Sequence, residues 1–393
     1  VGHEALTNAT GGSGNTSIGK GTMTATVTGS NNTALGYTAL AANTTASNNV
    51  AIGHNALVMN TTGASNTAVG VEALDANTTA SFNTAVGRGA LGANTTGANN
   101  TAVGNNSLLA NTTAGSNTAL GKSALQDNTT GENNTALGVN AMNANPTASN
   151  NVAVGENAMA SNTTGTANVA VGQAALDANT TANNNTAVGS SALTANTTGH
   201  SNTAVGKNAG AAITHGDENV AIGSDALEAA TSANANTAVG QNALLSTTDG
   251  ENNTAVGKSA LADNTTGSNS VAIGASALGA MTTANANLAI GKGAGAANTT
   301  GTENVFIGHE AGNDVTTGAG HTLIGYLAGD KITTSSQNTG VGSEALGATT
   351  TGGSLTAIGY NALRANTTAS NNIAVGKDTL KTCTTGSENT AVG

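Results

Sequence analysis

The sequence predicts an all-β fold, a parallel β-solenoid of 17-residue coils, on three observations. Glycine recurs every 17 residues from Gly2, Gly19 and Gly36 to Gly359, Gly376 and Gly393, giving 24 glycines and 23 equal intervals. The residue before each of these glycines, from Ile18 to Val392, is always Val, Ile or Leu. The unit is also too short for a helix pair, which needs more than about 30 residues. Invariant spacing is what stacked coils demand, because each must lie in register on the last. The expected domain organisation is one continuous array over residues 1–393, with 23 repeats, about 110 Å long at ~4.8 Å per coil. The chain opens and closes in mid-motif, at Val1 and Gly393, as a segment cut from a longer fibrous protein would.

With that glycine as position 5, the consensus is Asn-Thr-Ala-Val-Gly-x-x-Ala-Leu-x-Ala-Asn-Thr-Thr-Gly/Ala-x-x, and residues 66–82 are a typical copy. Thr-Ala-Val and Ala-Leu, bounded by Gly, Asn and Thr, read as short strands. Alternation puts positions 2 and 4 on one face and position 3 on the other. Position 4 is always aliphatic, so the sequence reading sends positions 2 and 4 into the coil and position 3 outward. Position 9 is Leu in 16 of 23 copies and Met in three, and it belongs in the core. Positions 6, 7, 16 and 17 carry the polar and charged residues and belong in solvent.

Positions 3 and 8 together hold 39 alanines out of 46. With position 3 outward, such columns call for close neighbouring chains and predict a homo-oligomer joined through alanine. Where position 9 becomes Gly210, Gly312 or Gly329, position 12 becomes Ile213, Val315 or Ile332, so the two positions fill one space. Gly295 breaks this rule by keeping Asn298, in a stretch where position 3 enlarges to Phe306 and Leu323. The position 5 glycine is expected to have φ > 0 or to meet another backbone closely. Asn at position 1, present in 20 of 23 copies, is expected to form an amide ladder, and Thr at position 13 a second one. Position 15 alternates Ala and Gly from Ala46 to Gly199, the trace of a duplicated 34-residue block.

Composition narrows the function. Aromatics are 1%, charged residues 8% and the net charge −11, which excludes a basic, aromatic nucleic-acid surface. The few cations cluster at position 6 (Lys20, Arg88, Lys122, Lys207, Lys258, Lys292, Lys377), with acids often at position 7, as on a solvated corner. One cysteine, Cys383, permits no intrachain disulfide. Neither a transmembrane run nor a signal peptide is visible. His215, Asp217 and Glu218 lie close in sequence but read as exposed loop residues rather than metal ligands. The Gly291–Ala297 stretch lacks the lysine spacing of a phosphate loop. The Asn-x-Thr sequons follow from the consensus. No catalytic, cofactor or metal residue is therefore predicted, and the chain is expected not to be an enzyme.

The forms Asn49-Val-Ala-Ile-Gly53, Asn219-Val-Ala-Ile-Gly223 and Ser270-Val-Ala-Ile-Gly274 resemble the head repeat of trimeric autotransporter adhesins of the YadA type. The resemblance covers the whole chain at one motif per coil, although 17 residues exceed the usual head repeat. It implies a left-handed roll, an intertwined homotrimer, display at the cell surface and host-matrix or cell-surface receptors as partners. Phage tail-fibre shafts carry very similar Asn-Thr-Ala-Val-Gly arrays, which implies a virion surface instead. Stalk, neck and membrane barrel are not part of this sequence, so no membrane contact is expected within the segment. The resulting expectation is a non-enzymatic extracellular fibre segment. Ice binding through threonine columns is the alternative. It is disfavoured at this level because adjacent Thr at positions 13 and 14 should face opposite ways.

Overall fold

In the computed structural model, which describes residues 2–25 and 27–393, the chain is a parallel β-solenoid with 17 residues per coil. Contacts divide it into two compact units, Val1–Thr198 and Gly199–Gly393. The first unit holds β1 (Thr16–Ile18) to β11 (Thr186–Val188), and the second β12 (Thr203–Val205) to β23 (Thr390–Val392), each strand three residues long. Within the first unit each strand pairs in parallel with its successor, Thr67 of β4 (Thr67–Val69) opposite Thr84 of β5 (Thr84–Val86), for example. The second unit follows the same rule, as where Val271 pairs with Leu288. Position therefore stacks on the same position throughout each unit. No helix occurs among the described residues.

The glycine at position 5 is required twice over. Its φ is near +135°, as at Gly240 (+132°), a conformation closed to residues with a Cβ. A Cβ on Gly240 would also lie 2.7 Å from the carbonyl carbon of Gly257 on the next coil. Three further columns are left-handed without glycine: position 7 (Asn55, φ 58°), position 17 (Asn48, φ 63°) and position 9 (Leu57, φ 52°). Asn tolerates this conformation, whereas Leu pays about 1 kcal/mol for it. Burial of the leucine side chain offsets that cost, at about 2 kcal/mol.

The strand phase is the reverse of the sequence reading. Position 3 faces inward, with Ala34, Ala51, Ala136 and Ala272 fully buried, while positions 2 and 4 flank it on the outside. Position 8 alanines and position 9 leucines complete the apolar interior. The alanine columns therefore line each coil and do not form an interface between chains. The tube is narrow enough that a methyl group from one wall and a leucine from the opposite corner fill it.

Phe306 and Leu323 then explain the exception at Gly295. Both are fully buried position 3 residues, and a Cβ on Gly295 or Gly312 would strike the Phe306 ring. A Cβ on Gly329 would come within 2.8 Å of both Leu323 and Ile332. The space left by missing leucines is thus filled from position 3 as well as from position 12.

The rest of the interior is polar. Each position 1 Asn accepts the backbone N–H of the next copy on its Oδ1, as Asn83 does from Asn100 at 2.9 Å. Its Nδ2 donates to the position 15 carbonyl 14 residues on, as Asn83 does to Gly97 at 3.0 Å. The expected side chain to side chain ladder instead runs along position 12, where Asn94 Nδ2 donates to Asn77 Oδ1 at 3.0 Å and Asn111 to Asn94 at 2.9 Å. Thr at position 13 forms the expected further ladder, Thr95 Oγ1 donating to the Thr112 carbonyl at 3.0 Å. Satisfying these buried amides removes a desolvation cost of about 1–3 kcal/mol each. Where position 12 changes, the ladder stops: Asn264 before Met281 and Asn366 before Cys383 each keep an Oδ1 without a partner.

His321 takes an Asn place at position 1. Its Nε2 lies 2.8 Å from the Ser335 carbonyl, and its Nδ1 accepts the Asn338 N–H at 3.2 Å. The second contact needs a bare nitrogen, hence a neutral ring. Burial pushes its pKa below the ordinary 6.5, against backbone hydrogen bonds that act the other way. Below pH ~6.5 the unfolded chain binds a proton that the folded ring refuses, so stability falls as pH drops through that value.

Two outcomes follow. His321→Asn should leave the melting temperature at pH 7.5 nearly unchanged and reduce its fall between pH 7.5 and pH 5. Ala136→Glu should cost several kcal/mol in denaturant unfolding, because it forces an unpaired charge into the coil. Leu137→Glu, one residue on and outward, should cost far less.

Candidate interaction surface

The outward strand face is the most extensive unpartnered surface of each unit. Position 4 presents an aliphatic side chain on every coil, with Leu35 43% exposed, Leu120 45%, Ile222 39% and Ile358 40%. Position 2 stands beside it, half-exposed as Thr or as Val in coils such as β9 (Val152–Val154). Ordinary monomers scatter exposed aliphatic residues, whereas here they form one column per unit at coil spacing. Adjacent to this face, past the position 5 glycine, lies the exposed position 6 column.

Position 6 carries cations, polar residues and all three tyrosines, Tyr37, Tyr326 and Tyr360. In-register stacking pairs some of these rings. Tyr37 and His54 lie 5.3 Å apart at 10°, and His309 and Tyr326 lie 5.6 Å apart at 23°. Lys377 Nζ sits 5.9 Å from the centre of the Tyr360 ring. No cation at position 6 stacks directly on another, since Tyr37, Asn105, Val139, Ser224, Ala275 and His309 follow Lys20, Arg88, Lys122, Lys207, Lys258 and Lys292.

The threonine columns differ from the sequence reading. Position 13 is half-exposed and position 14 exposed, as in Thr44 and Thr45, so both face outward. They sit at a bend, not in a strand, and strict alternation does not apply there.

Charged groups sit at the corners. Burial raises the pKa of Asp75 and of Asp177, each at position 10, in each case against backbone hydrogen bonds that lower it. Burial raises Asp330 as well, partly offset by Lys331, whose Nζ lies 3.3 Å from Asp330 and 3.2 Å from Asp314. A hydrogen bond from Asn361, followed by one from Lys381, holds Asp378 below the usual carboxylate range.

The residues singled out from sequence do not converge. His215 and Glu218 are exposed, and Asp217 is half-exposed, its Oδ1 accepting the His200 N–H at 2.6 Å. No His, Cys, Asp or Glu group among the described residues is arranged to hold a metal ion. In the Gly291–Ala297 stretch, Gly291 has the position 5 conformation and Gly295 makes room for Phe306, so its glycines serve packing. Cys383 is half-buried, with Sγ 3.4 Å from the Gly386 carbonyl. No described helix is long and apolar enough to cross a membrane. The aliphatic face was misassigned at the sequence level because it is as apolar as the interior. The position 12 ladder was signalled by unbroken Asn from Asn43 to Asn196.

Comparison with protein-family models and with curated proteins finds no match for the chain.

Proposed function

We propose that the chain is a non-enzymatic segment of an extracellular fibre, assembled from copies of itself through the outward strand face. The aliphatic column at position 4 carries this reading. A column of Val, Ile and Leu, one per coil, leaves apolar surface in water that a second copy would cover at roughly 25 cal/mol per Å². Identical chains offer identical columns at identical spacing, so a match of register is built in. The resemblance to autotransporter heads sets the expected number at three chains. Display on a cell or virion and attachment to surface receptors through many weak repeated contacts complete the proposal.

Sedimentation velocity on Leu137→Glu/Ile222→Glu tests it. The expected result is a shift from oligomer to monomer with the circular dichroism spectrum retained. An oligomer unchanged by both charges would overturn the interface, and a wild-type monomer at micromolar concentration would overturn self-assembly altogether.

The outward threonine pair at positions 13 and 14 supports a second reading, in which this face orders water and binds ice. The position 13 hydroxyl already donates to a backbone carbonyl, as Thr61 does to Thr78 at 3.0 Å, which leaves it only as an acceptor toward water. Thermal hysteresis of the purified chain decides this reading, and its absence removes it.

A further inference from the structure

We infer that the position 6 corner of the second unit holds a sugar-binding slot between Tyr326 and Tyr360, selective for a pyranose of β-gluco configuration. Five successive coils present His309, Tyr326, Ser343, Tyr360 and Lys377 at this position. The His309 ring covers one face of Tyr326, and the Lys377 ammonium lies over the ring of Tyr360. His309 precedes the pair and Lys377 follows it, so the remaining two ring faces look at each other across the coil of Ser343. Tyr326 and Tyr360 are 52% and 48% exposed, so the slot opens to solvent.

Two coil rises separate the tyrosines, ~9.6 Å. A six-membered ring midway would lie ~4.8 Å from each, within the stacking range of about 4.5–7 Å. Ser343 puts a hydroxyl on the floor. Its neighbour Glu344, ion-paired with Arg364, lines an adjoining groove of ≈ 480 Å³ that also takes in Asp330 and Lys381. Gly347 and Ala348 leave that groove open, because neither carries a long side chain. An aromatic ligand would use the slot and waste this rim of donors and acceptors. A pyranose uses both, its C–H faces against the rings and its hydroxyls against the rim.

The sandwich also selects configuration. A β-gluco ring has every substituent equatorial, so both faces are C–H surfaces. A galacto ring turns its 4-hydroxyl axial and places a polar group against one tyrosine, where burial without a partner is unfavourable.

The inference deepens the attachment reading and rests on it for its biological use, while its test reads binding alone. The full chain has three Tyr and no Trp, so tyrosine fluorescence reports the slot directly, with calorimetry supplying affinities. Cellotriose and the N-acetylglucosamine trimer are the probes. Both should bind. Tyr326→Ala or Tyr360→Ala should weaken binding about tenfold. Ser343→Tyr, which completes the ring stack without touching the interior, should abolish it, and Tyr37→Ala in the first unit should leave it unchanged. β-1,4-Galactotriose should bind more weakly. No binding of either probe, equal binding of the galactose trimer, or binding indifferent to Ser343→Tyr would overturn the slot. A slot that fails leaves self-assembly standing, and an assembly that fails leaves the slot standing.

Discussion

In-register stacking is the constraint on which everything else in this protein depends. Each side chain has its own positional copies as its nearest neighbours on the coils above and below, ~4.8 Å away. Whatever is placed at a position must tolerate itself. Amides and hydroxyls do, because each is both donor and acceptor, and aliphatic groups do because dispersion is not selective. Charges do not. That accounts for the 8% charged content and for cations at position 6 that never follow one another on consecutive coils. Composition that looks like low complexity is the residue set that survives self-adjacency.

The polar interior is a second consequence. A tube lined by Ala and Leu alone would contain few contacts per coil, and its corners would strand backbone carbonyls. Asn at position 1 closes the corner to the position 15 carbonyl while accepting the N–H of the next copy. Position 12 serves the same carbonyl from three residues away, as where Asn77 reaches Ala80. These amides are part of the core, and most are fully buried. A single imidazole at His321 can replace one only while uncharged.

The repeat length, the parallel coil, the glycine conformation, the buried leucine and the threonine ladder were all legible in the sequence. Each leaves a periodic signal that packing cannot reinterpret. The strand phase was not legible. Ala136 and Leu137 are both apolar, and alternation states only that they face opposite ways. Which faces inward depends on the width of the tube, a property of opposing walls that no local pattern encodes. The left-handed leucines were hidden for a similar reason, since burial overrides a backbone preference that Leu would otherwise obey. The slot between Tyr326 and Tyr360 could be read only once position 6 was known to stack with ring on ring.

The hydrogen bonds that join coils span 14 to 17 residues, whether through Asn side chains or backbone amides. Almost none of the structure waits on the meeting of distant chain segments. Folding can therefore start at any coil and advance by adding the next, each new turn finding a finished edge on which to lay its donors and acceptors. Loop-closure entropy is charged anew, in equal small amounts, at every step. Such a chain can order as it emerges from its site of synthesis or export, without holding a long unfolded stretch in reserve.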